Sequence, residues 1–115
     1  MTAERQALVE RVRAALPRDR ALREVSMFGG LAFMLDNRMV VSVNGDGGML
    51  VRVDPKRSGE LVARPGAQRA QMGANRTMGP GWISVAAAGL ETDQQLTDWI
   101  DVALQHHSTQ AATNR

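Results

Sequence analysis

The feature that most constrains this chain is the close spacing of its apolar runs between Val25 and Val53. Val25 to Phe28, Leu31 to Leu35, Met39 to Val43 and Met49 to Val53 each have strand length and strand composition. Gly29-Gly30 breaks the first run, Asp36-Asn37 suits a tight hairpin turn, and Asn44-Gly45-Asp46-Gly47-Gly48 forms another turn cluster. A parallel connection needs a crossover of roughly a dozen residues or more, which these gaps do not provide, so the strands must form an antiparallel meander.

Helical signals flank the meander. From Glu4 to Leu16 the positions Leu8, Val12, Ala15 and Leu16 recur at helical spacing, with Pro17 as a stop. Asp54-Pro55 pairs a capping carboxylate with a proline at the first helical position, which predicts a short helix to about Ala63, ended before Pro65-Gly66. The stretch from Gln68 to Pro80 carries no clear pattern, and Trp82 to Val85 resumes a strand. Thr92-Asp93-Gln94-Gln95 has the form of a capping box, and Leu96, Trp99, Ile100, Ala103, Leu104 and His107 follow it as one helical stripe. The tail from Ser108 is polar and expected to fray. The expected fold is α+β, a two-layer sandwich with helices on one face of an antiparallel sheet, in the order helix, three or four strands, helix, one or two strands, helix.

With 115 residues the chain is expected to make a single domain over 1–115, its core within about 4–107. There is no cysteine, which removes disulfides, thiolate metal sites and cysteine nucleophiles together. With aromatic residues at 3%, the core must be built from Leu, Val, Ile, Met and Ala, and Met27, Met34, Met39, Met49, Met72 and Met78 are read as core fillers. Fourteen basic residues oppose twelve acidic ones for a formal charge of +2. The pI near 10.4 reflects the absence of Cys and Tyr and the predominance of Arg rather than a polycation. No apolar run follows the N-terminus, and none approaches the roughly 18 residues of a membrane span, so a cytoplasmic protein without membrane partners is expected.

The segment Met27-Phe28-Gly29-Gly30-Leu31-Ala32-Phe33, with the hairpin into Met39-Val40-Val41-Ser42-Val43 and the run Met49-Leu50-Val51-Arg52-Val53, resembles the N-terminal domain of the TfoX/Sxy family. The similarity continues through Ala63-Arg64-Pro65-Gly66-Ala67, Arg76-Thr77-Met78 with Trp82-Ile83-Ser84-Val85, and Leu96 to Leu104, and departs at Gly79-Pro80-Gly81. It covers about residues 20–107. The resemblance implies a secretion-chaperone-like sandwich, no enzyme activity and no cofactor, in a family named for bacterial regulators of competence gene expression. Such regulators carry a further helical C-terminal domain, which a chain of this length is expected to lack.

Few residues point to chemistry. Gly29 and Gly30 could bring backbone N–H groups to an anion, but no phosphate-loop pattern surrounds them, and a turn or bulge needs the same glycines. His106 and His107 are adjacent, so on a helix they diverge by about 100° and cannot clamp one metal. Asp98 and Asp101 read as a solvated helix face, and no serine has a nucleophile-elbow context. Arg52, Arg64, Arg69 and Arg76 form the remaining candidate set, an anion or nucleic-acid patch if folding gathers them and scattered solvated side chains if it does not. The first expectation is a regulatory, non-enzymatic domain that binds a protein partner or itself through its sheet surface or an edge strand. The alternatives are a nucleic-acid-binding module using the arginines, and a small-molecule-binding protein or unrecognised enzyme.

Overall fold

A computed structural model describes the backbone of residues 3–16, 22–27, 30–36, 38–44, 47–73, 76–77, 79 and 81–113, with side chains over 6–16, 22–26, 30–36, 38–44, 47–70, 79 and 81–108. Helix α1 (Ala3–Ala15) leads into β1 (Leu22–Met27), β2 (Gly30–Leu35), β3 (Arg38–Val43) and β4 (Met49–Arg52). A 3₁₀ turn at Pro55–Arg57, α2 (Ser58–Leu61), β5 (Ala67–Arg69), β6 (Gln71–Gly73) and β7 (Arg76–Thr77) follow. The chain then forms β8 (Trp82–Val85), a second 3₁₀ turn at Ala87–Gly89 and α3 (Asp93–Thr113). Six strands make one sheet in the order β1-β2-β3-β4-β8-β5, every pair antiparallel, while β6 and β7 form a separate ribbon.

The short turns act as their residues dictate. Leu35 pairs with Arg38, and between them Asp36 adopts the left-handed φ of 53° that a tight hairpin turn favours; Asn37 lies outside the described residues. Alternation then sorts side chains between the two faces. Phe33, Val41, Val51 and Ile83 stand side by side across four strands, as do Val43, Met49 and Val85 in the next row, and all are buried. They meet Leu8, Val12 and Leu16 of the first helical segment, Leu61 of α2, and Leu96, Trp99, Ile100 and Ala103 of α3 in one continuous core. The helices therefore share one face: α1 packs on α3 and β3, α3 on β3 and β4, and α2 on β8. The two-layer α+β sandwich expected from the sequence is the fold observed.

Several boundaries differ from expectation. Strand β1 begins at Leu22 instead of Val25, and Gly30 is the first residue of β2 instead of part of a break; Gly29 lies outside the described residues. The expected helix from Pro55 to Ala63 is a 3₁₀ turn followed by one α-helical turn, because Val62, Ala63 and Arg64 already curl away to join β5. Between Gln68 and Pro80 the described backbone supplies the end of β5 and the β6–β7 ribbon, strands of two or three residues that are too short to show periodicity. Helix α3 continues to Thr113, past the tail expected to fray from Ser108, since no proline or glycine interrupts it there. Met34 and Met39, expected in the core, are half-exposed on the other face. A register shift between Phe33 and Met34 turns Val40 and Val41 both inward and sets Met34 opposite Met39. Met49 is buried as expected, whereas the side chains of Met27, Met72 and Met78 lie outside the described residues.

Candidate functional site

No described helix lies on the second face of the sheet. Its middle row runs Val25, Ala32, Ser42, Leu50, Ser84, Gln68, one residue from each strand in sheet order. Ala32 and Ser42 are buried at the centre, while Val25, Leu50 and Ser84 are half-exposed and Gln68 is exposed. The neighbouring row carries Arg23, Met34 and Met39 on β1 to β3, and Arg52 opposite Trp82 on β4 and β8. Half-exposed Val, Leu, Met and Trp on one surface form an apolar strip that no helix covers among the described residues.

The arginine set is dispersed. Arg52 places its guanidinium 5.6 Å from the centroid of the Trp82 ring, its cross-strand partner. Arg64, in the turn after α2, sits 5.2 Å from the ring centroid of Trp99 on α3. Both are within cation–π range, and Arg64 closes over a tryptophan that is itself buried. Arg69, at the end of β5, donates to Ser58 Oγ on α2. The three members of the set with described side chains thus have three separate partners, and the side chain of Arg76 lies outside the described residues. Nothing local in the sequence announces the two Arg–Trp pairs, because they join residues 30 and 35 positions apart that only sheet pairing and helix docking bring together.

Arg64 also lines a cleft of about 240 Å³ with Pro65, Gly89, Gln95, Asp98 and Trp99. Its floor is a close crossing of two turns, where Ala86 N–H donates to the Gly66 carbonyl at 2.9 Å. A Cβ on Gly66 would lie 2.8 Å from the Gly89 backbone and one on Gly89 would lie 2.5 Å from the Pro65 carbonyl oxygen, so packing alone demands both glycines. Gly30 is likewise explained by contact: a Cβ there would strike the Val43 carbonyl oxygen.

The histidines meet the end of the sheet where the β2–β3 turn and the end of β4 lie. His107 is 3% exposed, and its Nε2 lies 3.1 Å from Asp36 Oδ2. Among the described residues its buried Nδ1 and that of His106 have no hydrogen-bond partner. Burial lowers the His106 pKa below its ordinary value of 6.5, and the nearby Arg52 charge and His107 add to that effect against the opposing pull of Asp54. Among the described residues no three His, Asp or Glu side chains converge on a metal position, and no helix is long and apolar enough to cross a membrane. Asp98 and Asp101 are exposed on α3.

Among the described residues, a six-stranded antiparallel sheet with three helices on one face and half-exposed apolar side chains on the other defines a two-layer α+β domain. The chain belongs to the TfoX N-terminal domain family, whose match covers residues 18–107. A crystal structure of a protein from Pseudomonas syringae is similar in fold, with a TM-score of 0.59 and 15% sequence identity over 90% of this chain and 96% of that one. No curated protein matches the sequence.

Proposed function

We propose that this domain is a non-enzymatic, cytoplasmic regulatory module that works by binding another protein through the helix-free face of its sheet. The observation that carries this reading is the half-exposed strip of Val25, Met34, Met39, Leu50 and Trp82 on the face opposite the helices. Side chains of this kind gain most by leaving water, and methionine adapts to varied partner shapes. The resemblance to regulators of competence gene expression supports a regulatory setting. Two further arrangements favour this reading over its alternatives. The candidate arginines Arg52, Arg64 and Arg69 are spread over Trp82, Trp99 and Ser58 instead of lining one groove. Among the described hydrogen bonds His107 engages Asp36 and Ser58 engages Arg69, so these two do not pair as nucleophile and base.

The test is affinity capture of the tagged domain from its own cell lysate, with nuclease treatment at low and moderate salt, beside a Leu50→Asp variant. A discrete protein retained by the wild type and lost with Leu50→Asp supports the reading. Recovery of nucleic acid alone, stripped by salt, would replace it with the arginine-based alternative.

A further inference from the structure

Strand β1 is the outer strand of the sheet on one side, and all six of its residues pair with β2 without a register shift. The opposite edge, β5, has only three residues. Natural sheets blunt a long edge by shortening it, by a bulge, with proline or with charged side chains; β1, Leu22-Arg23-Glu24-Val25-Ser26-Met27, is full length, has no bulge and no proline, and carries two charges, Arg23 and Glu24. Arg23, Glu24 and Ser26 are exposed, and Leu22 and Val25 are half-exposed. The Glu24 carboxylate is already held on the helix side, where Arg13 of α1 donates to both of its oxygens at 2.6 Å. Among the described residues no strand pairs with its outer side, where the backbone groups of β1 form a regular row.

We propose that this edge pairs with the same edge of a second copy, antiparallel about a two-fold axis at Val25, to fuse two sheets into one. A two-fold axis sets one residue opposite its own copy, and the charges of β1 choose which. Centring on Arg23 sets two guanidinium groups face to face, and centring on Glu24 does the same with two carboxylates, both of which are destabilising. Centring on Ser26 leaves only Val25 to Met27 paired within the strand. Centring on Val25 pairs Val25 with Val25, Glu24 with Ser26 and Arg23 with Met27, which keeps like charges apart and gives a β-branched side chain an apolar partner. Such an axis is perpendicular to the sheet, so both helix layers lie on the same side. The row Val25, Ala32, Ser42, Leu50, Ser84, Gln68 then continues across the seam into its copy. The inference concerns the edge of the sheet and holds whether or not the face binds a protein.

The absence of cysteine from the chain makes the test clean, because a single introduced thiol has only its own copy to find. Directly opposed residues of an antiparallel pair have Cα atoms about 4.5–5.5 Å apart, within the span of a disulfide. Under mild oxidation Val25→Cys is expected to give a covalent dimer. Ser26→Cys, whose copy stands two residues out of register, is expected to form no covalent dimer. In sedimentation experiments the wild type should be dimeric, Val25→Lys and Val25→Glu each monomeric with unchanged helical circular dichroism, and a mixture of the two variants dimeric again. A monomeric wild type across the micromolar range overturns the proposal. So do equal cross-linking of Val25→Cys and Ser26→Cys, and dimers that survive both charged substitutions.

Discussion

At the scale of single residues, backbone proximity decides most of what a substitution would do. A side chain at Gly30 meets a carbonyl oxygen of β3 that the sheet holds in place, so Gly30→Ala should cost about 2–3 kcal/mol by urea denaturation. Gly59 in α2 faces open space with ordinary helical backbone, and Gly59→Ala should raise stability by about 0.5–1 kcal/mol. The two measurements together separate contact from backbone freedom as the reason for a glycine. His106 gives a pH dependence. Its folded pKa lies below 6.5, so the folded state binds the proton less well than the unfolded chain does. The resulting stability is present above about pH 6.5 and is lost as the pH falls through the depressed folded value. His106→Gln should flatten the denaturation midpoint over that range. An unchanged pH profile in the variant would show that the His106 environment contributes nothing.

At the scale of elements, the signals confined to a few residues were the readable ones. Thr92 Oγ1 accepts from Gln95 N–H at 3.1 Å and Gln95 Oε1 accepts from Thr92 N–H at 3.0 Å, the reciprocal cap that the sequence predicts for α3. Thr92→Ala should lower stability by about 1 kcal/mol in thermal or urea unfolding. Asp54 Oδ1 likewise accepts from Lys56 N–H at 3.0 Å, as the Asp-Pro signal predicts, although the turn it starts is 3₁₀. The strands from Ala67 to Thr77 escaped the sequence reading because each is two or three residues long, and β5 exists only because β8 lies beside it. The Arg13–Glu24 pair ties α1 to β1 and holds the Glu24 carboxyl below its ordinary value of 4.5, chiefly through the hydrogen bonds from Arg13. Its contribution is present above about pH 4.5 and is lost as the pH falls. Both partners are on the surface, so Glu24→Gln should produce only a small loss at neutral pH, and one that vanishes in acid.

At the scale of the whole molecule, stability rests on one core shared by the helices and one face of the sheet. Phe33, fully buried at its centre, should cost about 3–5 kcal/mol when truncated to Ala, enough to threaten folding of a domain this size. Loss of Leu50 on the other face should leave stability nearly unchanged and be felt in binding instead. By itself the sequence determined the antiparallel meander, the flanking helices, the cap of α3 and the family likeness. Turn spacing, capping hydrogen bonds and hydrophobic period all act within a few residues. The tertiary structure alone decided which alternate residues became core. The shift at Phe33 and Met34 sends Met34 and Met39 to the open face, and α2 shrinks where β5 joins the sheet. It also decided that Arg52, Arg64 and Arg69 would go to Trp82, Trp99 and Ser58, and that His107 would lie against Asp36. Those partners are far apart along the chain, and only the joint packing of sheet and helices sets the distances between them.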